Sequence, residues 1–270
     1  MTITLRLKQI PTVPLEAEVL TPDVMVTRSH SEISELTVYH GKRQLPLREF
    51  FDIEGEFSDS LEIHGSVDRI RWIGRAMSRG RITVHGSVGM HLGAYMTGGE
   101  IEVFGNAGDW VGAEMKNGLI RVHGNAGGQI GAGYRGSLAG MKNGTILIDG
   151  SAGLEVGMRM RRGTIVLGGP ARDFTGLQMK GGTIVLMSGA EIRTGAWMNR
   201  GTIISLQPLP MLPTFNHAGS FNPTFINVYA QYLKQFGIQI PYATQDGCYQ
   251  RYSGDISVPG KGEILVWQAT

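Results

Sequence analysis

The chain has 270 residues, 40 of them glycine, and a formal net charge of +2 at pH 7. So small a net charge gives no electrostatic case for binding to nucleic acid or to a membrane surface. The single cysteine, Cys248, excludes an internal disulfide framework and a metal site made of cysteines alone within this chain. The sequence also has no apolar leader and no run of eighteen apolar residues, so we expect a soluble, cytoplasmic protein.

Residues 1–60 do not share the sequence pattern of the residues that follow them, and we expect them to cap one end of the molecule. Residues 3–8 alternate as a strand does. Ser29 and Glu32 form a capping-box pattern that predicts a short helix ending near Leu36. A strand pair is predicted at 38–41 and 45–51. This segment would cover the unpaired backbone groups that the first unit of a repeat exposes.

Residues 61–205 repeat with a period of 19 residues. In each unit a methionine is followed three residues later by a glycine, and a second glycine usually precedes it by three. The methionines are Met77, Met96, Met115, Met141, Met160, Met179 and Met198. Each unit opens with a short alternating segment such as 82–84, and a glycine of constant phase closes it. We interpret that glycine as a corner that uses positive φ. Such units predict an all-β fold, a single-stranded parallel β-helix of about seven coils.

Stacked coils place equivalent residues in columns, and the columns suggest packing rather than chemistry. The methionines are adaptable core fillers. His64, His85 and His123 share an outward column with Phe104. One metal ion cannot join His85 and His123, because two coils separate them by about 9.6 Å. No P-loop, nucleophile elbow or His-Glu-x-x-His motif is present. We therefore predict no catalytic, cofactor-binding or metal-binding residue.

Residues 206–270 predict a C-terminal cap of mixed α and β structure with one helix. Asn222 and Pro223 would start that helix, which would run to about Phe236. Two aromatic-rich strands, 249–252 and 264–267, would follow. The aromatic face of the helix allows two interpretations, packing on the chain's own coils or binding to a partner. The candidate partner-binding residues of this face are Tyr229, Tyr232 and Phe236.

Cations follow the methionine in six of the seven units, which predicts a positive ridge along the stack. The ridge includes Arg161, Arg162 and Lys180. It is either a solvated face or a track for an anionic ligand or an acidic partner surface.

The fourth unit carries a seven-residue insertion at 134–140, and we expect it to leave the stack as a loop. Loops on a rigid scaffold are where binding residues gather. Tyr134 and Arg135 are of the types enriched at interface hot spots. We predict that this loop inserts into a partner; the alternative is a tolerated surface insertion.

Several stretches resemble a known family. Residues 105–118 (GNAGDWVGAEMKNG) and 132–141 (AGYRGSLAGM) resemble the signature of the C subunit of formylmethanofuran dehydrogenase and of its bacterial relative, the formyltransferase/hydrolase complex. Residues 13–23 and 50–55 are similar to it as well. The likeness spans residues 1 to about 205. The repeat alone is more weakly similar to the C-terminal domain of the large chain of glutamate synthase.

The resemblance implies a non-catalytic scaffold subunit in one-carbon metabolism linked to tetrahydromethanopterin, with formaldehyde oxidised to formate. Its expected partners are the A subunit with a metal pair, the B subunit, and the formyl-transferring D subunit. The carrier, a methanofuran type with a glutamate tail, would be met only indirectly, with Arg161, Arg162 and Lys180 facing its anionic tail or an acidic partner. The moderate charge content favours the bacterial hydrolase. A component of a molybdenum or tungsten dehydrogenase and a stand-alone metal-binding β-helix are the alternatives.

Overall fold

Strands dominate the computed structural model, which describes residues 2–242 and 246–270. The all-β class is therefore confirmed. The strands are β1 (Ile3–Leu7), β2 (Leu15–Glu16), β3 (Thr37–His40), β4 (Arg43–Pro46), β5 (Phe51–Glu54), β6 (Ser60–His64), β7 (Ile70–Arg71), β8 (Arg81–His85), β9 (Glu100–Val103), β10 (Leu119–Val122), β11 (Thr145–Ile148), β12 (Thr164–Leu167), β13 (Lys180–Leu186), β14 (Arg200–Ser205), β15 (Asn216–Phe221), β16 (Gly247–Gly254) and β17 (Gly262–Ala269). The helices in those ranges are α1 (Pro22–Met25), α2 (His30–Ser34), α3 (Ile226–Lys234) and a 3₁₀ turn at Leu47–Glu49. None is long and apolar enough to cross a bilayer.

Thirteen strands form one mixed sheet in the order β15-β16-β17-β14-β13-β12-β11-β10-β9-β8-β6-β1-β5. From β1 through β6 and on to β14 and β17, successive neighbours run parallel. Their register follows the 19-residue repeat, since Ile82 pairs with Ile101 and Ile101 with Ile120. The insertion does not disturb this register, because Ile120 pairs with Ile146 across 26 residues. Each repeat unit of the sequence therefore contributes one parallel strand to the sheet, and we call one such unit a rung.

A second column of contacts runs beside the sheet. Single parallel bridges join one residue of each rung to the next, from Val67 through Val88 and a series of alanines to Ala190. The predicted burial of the methionine column is confirmed, since all seven methionines are fully buried. With the inward isoleucines they make a continuous apolar core that runs the length of the stack.

The closing glycines Gly86, Gly105, Gly124, Gly150 and Gly169 do not use positive φ, so our prediction for them was wrong, whereas Gly65 of the first unit has a φ of 113°. A Cβ on Gly86 would lie 2.2 Å from the carbonyl oxygen of Gly65, and one on Gly105 would lie 2.5 Å from the carbonyl carbon of Gly86. Glycine is required there because neighbouring rungs approach closely. Positive φ is found instead at the middle glycine of each unit, which stands three residues before the methionine except in the fourth unit; Gly93, for example, has a φ of 61°.

Residues other than glycine also adopt left-handed conformations in every rung. They stand two residues before and, with one exception, two residues after that middle glycine. Around Gly93, for example, they are His91 and Tyr95, with φ of 66° and 61°. Bulky side chains rarely occupy this region. Each rung therefore turns through a bend that the glycine pattern alone did not predict.

The terminal segments extend this sheet through β1 and β5 at one end and through β15, β16 and β17 at the other, while β4-β3-β2-β7 form a second sheet in that order. The predicted capping box is confirmed, since Ser29 and Glu32 cap each other and α2 follows. Residues 45–51 form no single strand; they contain the end of β4, the 3₁₀ turn and the start of β5. The predicted start of the long helix was wrong. Asn222 donates to the carbonyl oxygen of Gly247 instead of capping, and α3 begins at Ile226. The two predicted final strands are confirmed as β16 and β17.

A second core lies between α3 and the outer face of the sheet. Leu147, Val166 and Val185 point outward from β11, β12 and β13, yet they are fully or almost fully buried. Earlier rungs carry polar residues at this position, such as Glu102 and Arg121, and remain open. The change from polar to apolar outward residues marks where the helix packs.

Candidate functional site

The predicted cationic ridge is present on one corner of the stack. Arg161 and Arg162 are exposed, and among the described residues their side chains make no hydrogen bond or ion pair. Lys180 differs, because its Nζ donates to the carbonyl oxygen of Leu138 at 2.9 Å. Of these three cations, two are therefore free within the described part of the chain and one anchors the insertion.

A polar groove runs beside the ridge, between the methionine-glycine corner and α3. Its volume is about 720 Å³. The floor consists of corner glycines and of Asn117 and Asn143, and the far wall is formed by Tyr232 and Phe236. Lys116 and Lys142, which precede those asparagines, are exposed. The groove itself is lined by carboxamides, glycine backbone and one carboxylate, that of Glu100. The cations that could attract an anionic chain lie on the neighbouring ridge.

The insertion is tied back onto the stack at several points. The guanidinium of Arg159 donates to the carbonyl oxygen of Ser137 at 2.6 Å, and Lys180 holds the next carbonyl. Tyr134 opens the loop and turns inward. The tip is left to solvent, with Leu138 76% exposed and Arg135 exposed beside it.

Tyr134 completes a cluster of aromatic rings on the left-handed bend. Its ring stacks on Trp110 at 4.7 Å between centroids, and its hydroxyl lies 2.8 Å from Nδ1 of His91. His91 in turn stacks on Trp72 at 4.1 Å, and Arg75 lies over the rings of Trp72 and Tyr95.

Burial controls the protonation states in this cluster. Desolvation raises the pKa of Tyr134 above its ordinary value and lowers the pKa of His91, with a smaller effect from the nearby Arg71. The neutral imidazole of His91 can therefore accept the hydroxyl proton of Tyr134 in a hydrogen bond. The loop is locked by packing and by this bond.

A cavity of about 430 Å³ opens between the loop and the stack. Arg135 and Trp110 line it, together with Gln129, Glu155 and Arg159. Glu155 accepts from Gln129 at 2.9 Å, and Arg159 donates to Gln178 at 2.8 Å. Arg135 makes no hydrogen bond or ion pair within residues 2–242 and 246–270, so its guanidinium is available to a partner.

The aromatic face of α3 lies on the chain's own strands. The hydroxyl of Tyr229 accepts from Thr183 at 2.7 Å, and that of Tyr232 lies 2.7 Å from the Thr145 hydroxyl. Phe236 packs on the same core, and its carbonyl oxygen accepts from Arg121. These contacts correspond to the packing interpretation of this face. A role of the three aromatic residues in partner binding stays a prediction.

The predicted histidine column is confirmed. The rings of His64, His85, Phe104 and His123 stack in that order, with centroids 4.4, 5.5 and 4.9 Å apart. The two ring nitrogens of His123 lie 2.7 Å from Asp149 and 3.0 Å from Glu102. His123 is therefore held between two carboxylates.

Sequence reasoning missed the aromatic cluster, although a signal was present. Trp72, His91 and Trp110 recur at the 19-residue spacing, two residues before the middle glycine. It also missed Asp255, which accepts from the backbone amide of Trp197 and from Ser257. Burial acts to raise the pKa of this carboxyl, but those hydrogen bonds outweigh it and hold the pKa below its ordinary value.

Comparisons with known proteins agree with the likeness noted in the sequence. Residues 69–209 match the family described as GXGXG motif. The chain is 42% identical over 85 residues to the C subunit of the molybdenum-containing formylmethanofuran dehydrogenase 1 of Methanosarcina barkeri, a match that covers 30% of this chain and 28% of that protein. It is 39% identical over 92 residues to the C subunit of the tungsten-containing formylmethanofuran dehydrogenase 2 of Methanothermobacter wolfeii, covering 32% and 34%. The matches thus span about a third of these relatives.

A solved structure resembles almost the whole chain. It is the X-ray crystal structure of the formyltransferase/hydrolase complex (FhcABCD) from Methylorubrum extorquens in complex with methylofuran. The chain superposes on one of its chains with a TM-score of 0.88 and 36% identity, covering 97% of this chain and 98% of that one.

Proposed function

We propose that this chain, which belongs to the GXGXG motif family and is similar to the C subunits of formylmethanofuran dehydrogenases, is a scaffold subunit of a formyltransferase/hydrolase complex. Its partners would be the A, B and D subunits, and the complex would release formate from a formylated carrier. The observation that carries the proposal is the likeness to a chain of the Methylorubrum extorquens complex over 97% of this chain. The conversion itself would take place in the partners, on a metal pair held by the A subunit.

We infer further that the stack is a parallel β-helix. In-register parallel strands with a 26-residue or 19-residue advance, and a second parallel column of bridges, support this fold. Such a fold suits a scaffold, because each rung contacts mainly its neighbours and extra rungs or loops change one face without disturbing the core.

The cationic ridge, with the polar groove beside it, is our candidate for a contact with the carrier. Methanofuran-type carriers bear glutamate tails, and a tail that swings between two sites needs a cationic wall. The exposed Arg161 and Arg162 and the groove of about 720 Å³ support this role. An acidic partner surface would meet the same chemistry.

A dehydrogenase complex is the second candidate, because the curated relatives are named as subunits of molybdenum-containing and tungsten-containing formylmethanofuran dehydrogenases. The metal content of the purified assembly distinguishes the two. A dehydrogenase would contain molybdenum or tungsten, whereas the hydrolase would contain neither.

The test is purification of this chain by an affinity tag from its native host. We expect the A, B and D subunits to co-purify, and the assembly to release formate. The same chain expressed alone should show no such activity. A chain that is isolated without partners at native expression level, or that is active alone, would contradict the scaffold function.

A further inference from the structure

The first two rungs of the sheet bring two histidines and a glutamate to one outward position. His64 at the end of β6 and His85 at the end of β8 are paired in register, and Glu62 precedes His64 on the same face. One ligand atom from each of these three side chains lies within 4.8 Å of the other two. We propose that Glu62, His64 and His85 bind a zinc ion that clamps these two rungs together.

The donor set suits this ion. Zinc takes imidazole nitrogens and carboxylate oxygens at about 2.0–2.2 Å, with tetrahedral geometry. Two such nitrogens on one ion lie about 3.3 Å apart, as those bond lengths and the tetrahedral angle require. The ring centroids are 4.4 Å apart and the planes 15° from parallel, so each ring must tilt toward the common ion. Both side chains are partly exposed, by 32% and 40%, and are free to do so.

His64 and His85 lie closer together than His85 and His123, which are too far apart to share one metal ion. Those two residues are separated by the ring of Phe104, whereas His64 and His85 occupy adjacent rungs. The prediction of no metal site considered only the wider separation. Adjacent rungs of a parallel sheet are about 4.8 Å apart, which lets two side chains chelate one ion.

His123 provides a comparison within the same column. Its nitrogens already lie within hydrogen-bond distance of Asp149 and Glu102. The side chains of His64 and His85 make no hydrogen bond within the described ranges, and their Nε2 atoms lie 3.4 and 3.9 Å from a carboxylate oxygen of Glu62. The ring nitrogens of His64 and His85 are therefore available to a metal ion, while those of His123 are not. One neighbouring charge opposes binding, since Arg6 of β1 is paired in register with His64.

The experiment uses the full chain, stripped with a chelator and then freed of it. Isothermal titration with Zn²⁺ should give one equivalent bound, and Co²⁺ should give the visible absorption of a four-coordinate site. His64→Ala and His85→Ala should each weaken binding at least about tenfold, the lower end of what even an outer partner of a metal ligand contributes. Arg6→Gln should tighten it.

The matched control is His123→Ala, which removes an imidazole from the same column and should leave zinc binding unchanged. Circular dichroism melting checks that each variant is folded, and bound zinc should raise the melting temperature of the native chain. A chain that takes up no zinc would overturn the proposal. So would equal affinity in the native chain and in the His64→Ala/His85→Ala double variant.

Discussion

The insertion at 134–140 offers a test that separates assembly from stability, because its two leading residues face opposite ways. Arg135 is exposed and has no hydrogen bond or ion pair among the residues that the structure describes. Its replacement by alanine should therefore change the chain's own free energy of unfolding by less than about 0.5 kcal/mol, as for other exposed sites. If Arg135 is an interface hot spot, the same change weakens assembly by about 2 kcal/mol or more. This corresponds to about 30-fold in Kd.

Tyr134→Ala should show the opposite pattern, with a larger effect on the chain's own free energy of unfolding than on assembly. The substitution removes a half-buried ring that stacks on Trp110 and a hydroxyl that bonds to His91. Loss of a fully buried aromatic ring costs about 3–5 kcal/mol, so roughly half of that, about 2 kcal/mol, is expected here. The isolated chain should lose stability, and the loop should lose its fixed position.

Urea unfolding of the chain and titration of the remaining subunits with it measure the two quantities. Arg43→Ala on β4 is the matched control, since it removes another exposed arginine from a different sheet. Arg135→Ala must bind more weakly than Arg43→Ala at equal stability. Equal Kd values for the two variants, or a structure of the complex with this loop in solvent, would refute the reasoning.

Three further predictions concern other parts of the chain. Charge reversal at Arg161 and Arg162 should raise the KM for the carrier at low salt. The effect should fade as the Debye length falls from about 30 Å at 0.01 M ionic strength to about 3 Å at 1 M. An unchanged KM at low salt would show that the ridge is only a solvated face. Gly105→Ala should unfold the stack locally, because its Cβ would lie 2.5 Å from the backbone of Gly86; Gly136→Ala, which meets no neighbour but has a φ of 86°, should cost only about 1–2 kcal/mol for its left-handed backbone and lower the melting temperature less. The low pKa of Asp255 contributes stability above the ordinary carboxyl value of 3.8, which is lost as the pH falls through the folded value; Asp255→Asn should therefore be less stable at pH 7 and show a smaller loss on acidification, and identical pH profiles would contradict this.

The repeat could be predicted from the sequence because it is set by close packing at a fixed period. The methionine column and the isoleucine register follow directly from residues 19 apart. The role of Gly86 was mistaken because positive φ and close approach of a neighbouring backbone both require glycine, so the sequence does not distinguish the two constraints. The structure distinguishes them by the distance to the neighbouring rung.

Contacts between distant parts of the chain could not be predicted in this way. Nothing local places α3 on Leu147 and Val166, although the outward apolar residues indicated that some element covers them. Tyr134 looked like a residue for a partner because its own partners, His91 and Trp110, lie 43 and 24 positions earlier. In a periodic stack, residues that are far apart in the sequence lie close together in space, and only the coordinates identify which side chain turns inward.

The distribution of side chains around the stack is itself an argument for a scaffold. The strand face carries the histidine column and α3, the methionine-glycine corner carries the cations and the groove, and the left-handed bend carries the aromatic cluster and the insertion. Here the conspicuous groups lie on separate faces around a fully packed core. Separate faces allow several partners to bind at once without competing, which is what a scaffold that holds the A, B and D subunits together would have to do.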